Sequence, residues 1–248
     1  HDPANNTRYY RWDYVETYIY QSPLVSDFIF DTANPDTLKW SRPRTPAEQI
    51  HTCYITANSS TINVGTSAAL SNDVIANNAV TEIQSTSEKV LHRYSILIKQ
   101  YALTKDAYNF WAMLKKNTQQ IGTIFDAQPS ANTTNLRCTS DPSRIVLGYV
   151  SASSITQKRI FIDQTQLPHW PYNSPFACLP DFACWKGGTG AVLPTLLRFN
   201  EVVPTDTVRY GNCPGDPDAK FVVPTQDVTC VDCRIHPGGK TVKPAFWK

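Results

Sequence analysis

Along residues 8–20 the chain reads RYYRWDYVETYIY, with Tyr10, Trp12, Tyr14, Tyr18 and Tyr20 at alternate positions on one face. Tyr9, Arg11, Asp13, Val15, Thr17 and Ile19 fall on the other. Period-2 alternation of aromatic and β-branched residues predicts a strand, because a helix would scatter the same side chains around its circumference. Residues 22–46, rich in Pro, Asp and Asn, read as a long excursion. Residues 49–56 and 60–64 read as short strands around an Asn-Ser-Ser turn. A second long strand is predicted over 91–103, and large apolar residues on both of its faces place it centrally in a sheet. Thr104 then stands where an N-cap would, and Ala107, Phe110, Trp111 and Leu114 follow at helical spacing, predicting a helix over about 105–120. Beyond Gly122 the pattern returns to strands, at 144–151, 158–163, 196–203 and 220–223, separated by Pro- and Gly-rich turns.

The expected fold is therefore mainly β: an antiparallel β-sandwich or open barrel carrying one packed helix and a Pro/Cys-rich C-terminal tail. Residues 1–248 are expected to form a single β-rich domain, with 166–248 a loop-rich, disulfide-stapled tail.

Composition narrows the function. Charged residues are 18% of the chain and the net charge is +2. Thr, Ser and Asn together contribute 58 of 248 residues. Basic residues cluster only as pairs such as Arg42/Arg44, Lys115/Lys116 and Lys158/Arg159, too few for the stripe that nucleic-acid binding needs. With 41% apolar residues the chain can bury a core, which excludes intrinsic disorder. Its apolar runs stop near five residues, far short of the roughly 20 that span a bilayer. Seven cysteines in such a composition point to export into an oxidising compartment: Cys53, Cys138, Cys178, Cys184, Cys213, Cys230 and Cys233 are all disulfide candidates. The odd number leaves one thiol free or paired outside this sequence.

Several motifs can be weighed against simpler readings. Cys230-Val-Asp-Cys233 could be half of a zinc site, a redox pair or two structural cysteines. A second knuckle with metal-ligand spacing is missing, and Pro224 and Pro237 flank the motif where a redox site wants a strand leading into a helix, so structural disulfides are expected. No metal or cofactor site is expected. Gly238-Gly239-Lys240-Thr241 mimics the end of a phosphate loop but has Arg234 where the first glycine belongs, and reads as a turn. The aromatic stripe of the first strand could stack on sugar rings or peptide side chains if exposed, but is expected in the core. Asp13 and Glu16, carboxylates beside aromatics, are expected to be structural.

Long collinear stretches carry a resemblance. DPANNTRYYRWDYVET at 2–17, RYSILIKQYALTKDAYNFWAMLKKNT at 93–118, GTIFDAQPS at 122–130, LGYVSAS at 147–153, KRIFI at 158–162 and CVDCR at 230–234 resemble the Bacteroidota outer-membrane lipoproteins grouped as domain-of-unknown-function family 4249. The resemblance implies an export signal and lipidated Cys followed by an immunoglobulin-like domain, both upstream of this sequence. It also implies an outer-membrane, surface-exposed location, attached only through that lipid. The implied role is a non-enzymatic accessory of a TonB-dependent nutrient transporter that binds the receptor or a peptide or carbohydrate ligand. A structural or adhesive surface component, or a hydrolase with a dispersed site, are the alternatives. The phylum's O-glycosylation pattern, Asp-Ser/Thr before a small or aliphatic residue, marks Thr32, Thr37 and Thr207.

Overall fold

The alternation of residues 8–20 forms strand β1, Tyr9–Gln21, in the computed structural model, which describes residues 7–30, 41–119, 134–172, 178–179, 181–185, 202–206, 209–211, 218 and 221–247. Tyr10, Trp12, Tyr18 and Tyr20 are all buried, so the aromatic stripe is core rather than an exposed stacking platform. Beyond β1 come β2 (Phe28–Phe30), β3 (Ser41–Pro43), β4 (Thr52–Asn58), β5 (Asn63–Thr66) and β6 (Arg93–Leu103), then helix α1 (Lys105–Gln119). The chain continues through β7 (Ile155–Asp163), β8 (Asp181–Trp185), β9 (Val202–Pro204), β10 (Arg209–Tyr210) and β11 (Phe221–Asp227) to a one-turn helix α2 (Val228–Val231).

The fold is mainly β with antiparallel sheets and one main helix, and among the described residues no sheet closes into a barrel. The largest sheet has the order β4-β1-β6-β7, with β5 pairing antiparallel to β1 in the register Tyr10↔Gly65 and Trp12↔Asn63. As its two apolar faces predict, β6 lies inside this sheet, between β1 and β7. A second sheet has the order β10-β11-β8, with β9 also on β11, and β2 pairs with β3.

Two compact units divide the chain: residues 1–16, 57–83 and 95–162, and residues 17–56, 84–94 and 163–248. In the first, Tyr10, Trp12 and Ala102 pack with Ile75, Val80 and Ile98. Gly65 makes room for this cluster, since a Cβ there would lie 3.0 Å from the Trp12 indole. In the second, Ile50, Val203, Cys230 and Val231 form a core joined by Leu24, Cys178 and Val228.

Two sequence expectations are corrected, and a third falls mostly outside the described residues. The excursion at 22–46 contains the β2–β3 pair, with Ile29 opposite Arg42. The strand expected at 144–151 does not form: Gly148 has φ +138°. There Thr134 Oγ1 donates to the Gly148 carbonyl at 2.8 Å, and Asn135 bonds both the N–H and the C=O of Val150, at 2.9 and 2.6 Å. Side chains thus occupy backbone groups that a ladder would have used, and Ile145 is 83% exposed. Of the strand expected at 196–203, only 202–203 lie among the described residues, at the start of β9.

Candidate functional site

A cleft in the first unit gathers the least expected combination of side chains. Because residues alternate along β1, Arg11 and Asp13 emerge opposite the buried Tyr10 and Trp12. Helix α1 packs on this side. Thr104 Oγ1 accepts from the Ala107 amide at 3.2 Å to start it, and Tyr108 brings its ring centroid within 5.2 Å of that of Tyr9. Trp111 follows three residues later, on the same face of the helix. The Arg11 guanidinium lies 4.2 Å from the Trp111 ring centroid and 4.4 Å from that of Tyr101, a residue of β6. Each such contact contributes roughly 0.5–2 kcal/mol and fixes the orientation of the flat, always-charged group.

Asp13 completes the arrangement. Its Oδ2 lies 3.3 Å from Arg11 Nη2, and its Oδ1 accepts from the Tyr101 hydroxyl at 3.3 Å. Burial pushes the Tyr101 phenol above its ordinary pKa, and its bond to the Asp13 carboxylate adds to this. The Nε of Arg11 is buried with no hydrogen-bond partner. Facing these groups is the turn at 59–62, anchored where Ser59 donates its amide to the Tyr14 carbonyl at 2.9 Å and accepts the Tyr14 amide on Oγ at 3.1 Å. The cleft measures about 180 Å³ and is lined by Arg11, Trp12 and Asp13, the turn 59–62, and Trp111. Chemically it offers a guanidinium, a carboxylate, three hydroxyls and the Trp111 ring. These are the means of binding a polar, ring-sized molecule.

A broader groove of about 700 Å³ runs along the other side of α1, past Asp106, Asn109, Met113, Lys116, Asn135 and Tyr149. Among the described residues no ion pair or cation–ring contact joins these side chains, whereas Arg11 and Asp13 form one in the smaller cleft.

A titratable cluster occupies the second unit. Glu88 Oε1 is 2.7 Å from His236 Nε2 and accepts from the Tyr18 hydroxyl at 3.4 Å. The Tyr20 and His236 rings lie 4.4 Å apart. Burial, then the charge of Glu88, raise the pKa of both Tyr20 and Tyr172. Burial first, then His51, lower that of His92. The cavity beside them is only about 40 Å³, room for a water or two and not for a substrate. The cluster ties the segment after α2 to the turn at Glu88.

The cysteines pair as staples. Cys53 bonds Cys233 and Cys178 bonds Cys230, so the two cysteines of the C-x-x-C motif go to different partners and form neither a zinc knuckle nor a redox pair. Cys184 is also disulfide-bonded, and Cys138 carries a free thiol. Cys213, Thr32, Thr37 and Thr207 lie outside the described residues. No group of three or more His, Cys, Asp or Glu among the described residues is arranged to hold a metal ion. The Gly238–Thr241 motif is a turn: Gly238 has φ +82°, Gly239 donates to the His236 carbonyl at 2.8 Å, and Lys240 bridges Tyr54.

Sequence reasoning singled out Asp13 as a structural carboxylate and passed over Arg11. Tyr101 and Trp111 lie about a hundred positions away, and only the packing of α1 on the sheet brings them to it. The available signal was a charged pair, Arg11 and Asp13, on the less apolar face of an aromatic strand.

A family model described as a domain of unknown function (DUF4249) matches residues 1–159. No curated protein and no solved structure matches the chain.

Proposed function

Since the chain belongs to the family of domain of unknown function DUF4249, we propose that it is a surface-exposed outer-membrane lipoprotein of Bacteroidota that acts by binding, as an accessory of a TonB-dependent nutrient transporter. The observation that carries the binding part is the Arg11 cleft, where a guanidinium is oriented by two aromatic rings beside a carboxylate and a hydroxyl-bearing turn. Pre-oriented polar groups in a small concave site favour ligand capture, because little ordering remains to be done on binding. The transporter part draws on the family resemblance, and the low charge and hydroxyl-rich composition are compatible with a cell-surface role. Attachment to the membrane through a lipid is part of the same proposal. Among the described residues no helix is long and apolar enough to cross a membrane.

Affinity capture of the tagged protein from native membranes tests the reading. Co-purification of a TonB-dependent receptor is the expected result, and recovery of the protein alone contradicts the transporter role. The same lineage predicts glycans on Thr32 and Thr37, and on Thr207. Intact-mass spectrometry of native material is expected to exceed the polypeptide mass, and an unmodified mass refutes glycosylation.

A further inference from the structure

We infer that the ligand of the Arg11 cleft is a neutral saccharide, held one sugar ring at a time; this rests on the binding reading above. Arg11 and Asp13 carry opposite charges, and every other described residue lining the cleft is uncharged, so these residues together offer no net charge to an ion. An anionic ligand drawn to Arg11 would meet the Asp13 carboxylate 3.3 Å from its Nη2, and a cation drawn to Asp13 would meet the guanidinium. A neutral ligand with adjacent hydroxyls meets neither penalty. Each hydroxyl both donates and accepts, so one can accept a hydrogen bond from the guanidinium while its neighbour donates one to Asp13.

The rest of the cleft fits the same chemistry. Ser59, Ser60 and Thr61 supply hydroxyls that donate or accept by rotating, whereas Ile62 and Trp111 supply apolar surface for the C–H face of a sugar ring. Tyr101 and Trp111 both hold the guanidinium within 4.4 Å of their ring centroids, so its hydrogen-bonding N–H groups arrive at the cleft already oriented for a ligand hydroxyl. A volume of about 180 Å³ is below the usual 300–1,000 Å³ of drug-sized pockets and matches one ring. A peptide would need room for a main chain and several side chains.

Saturation-transfer NMR on the 248-residue chain tests this with three probe sets: methyl glycosides of neutral hexoses and pentoses, the matching methyl uronates, and uncharged tripeptides. Neutral glycosides are expected to bind with a Kd on the order of millimolar, as suits a ligand of about a dozen heavy atoms. Arg11→Ala and Asp13→Ala are each expected to weaken binding about tenfold or more. Ser60→Trp changes an exposed turn residue and blocks the cleft without touching the core, so it tests the site even if an Arg11 variant folds poorly. Asp13→Asn leaves the cleft net positive and is expected to shift preference toward the uronates. Uronates binding wild type more tightly than neutral glycosides would overturn the inference and leave the binding reading standing, as would capture of tripeptides alone. Binding of no probe, or binding indifferent to Ser60→Trp, would overturn both the inference and the cleft's role, while the transporter association stands or falls on the membrane capture.

Discussion

Replacing Cys178 and Cys230 together by alanine removes a bridge whose ends are 52 residues apart. In the chain-entropy picture, closing a loop of that length restricts the unfolded ensemble by about 4 kcal/mol. The native state adds a second contribution. Cys230 is 2% exposed and packs with Ile50, Val203 and Val231, so losing its sulfur leaves a small void worth about 1 kcal/mol. The pair variant is therefore expected to lose about 4–5 kcal/mol. For a chain of this length that is a fall in Tm of roughly 8–20 °C. Differential scanning calorimetry of oxidised wild type and variant at equal concentration reads the shift, and peptide mapping without reduction should recover Cys178–Cys230 and Cys53–Cys233 as separate cross-links. A loss below about 1 kcal/mol would refute the entropic reasoning. A cross-link between Cys230 and Cys233 would refute the pairing itself and restore the redox reading of the C-x-x-C motif.

Three further outcomes follow from local geometry. Gly239→Ala drives a Cβ into the Cys233 carbonyl oxygen, so the backbone of the turn must move. A loss of about 2–4 kcal/mol is expected in urea denaturation, and an unchanged midpoint would contradict the close approach. The Arg42 side chain first, then the Thr45 amide and hydroxyl, hold the Glu48 carboxyl well below the usual carboxylate range. Its folded pKa is depressed, so its contribution is present above the unfolded value of about 4.3 and is lost as pH falls through the folded one. Glu48→Gln should flatten the acid limb of a stability–pH curve below about pH 4, and superimposable limbs would rule this out. His92 favours its neutral form in the fold, chiefly through burial. Stability is therefore expected to fall as pH drops below about 6.5, and His92→Gln should reduce that slope in thermal melts. An identical slope in the variant would count against it.

What could be read in advance depended on how far each feature reaches along the chain. β1, β6 and α1 were legible because each is long enough for its period to repeat several times, and their observed bounds differ from the predicted ones by one or two residues. The β2–β3 pair escaped because three-residue strands complete little more than one period, and only the opposite strand makes Phe28–Phe30 a strand at all. Residues 144–151 misled in the other direction. Ile145, Leu147 and Tyr149 alternate as a strand would, but Gly148 and the side chains of Thr134 and Asn135 divert the backbone. The candidate site was the least legible part. Arg11 and Asp13 are neighbours in sequence, whereas the rings that hold the guanidinium come from β6 and α1, and no local pattern reports that meeting. The cysteines show the same limit: a C-x-x-C spacing is visible in sequence, and partners 52 and 180 positions away are not.

The most direct test of the central claim is an NMR titration that follows the Trp111 and Trp12 indole N–H and Arg11 Nε–H resonances as a neutral methyl glycoside is added. Binding in the cleft predicts saturable shifts at Trp111 and Arg11 with a single Kd, smaller shifts at Trp12, whose indole N–H already donates to Gln100 at 3.0 Å, and none of these in Ser60→Trp. Resonances that stay still across the panel of neutral glycosides, or that move equally in the blocked variant, would contradict the assignment of this cleft as the ligand site.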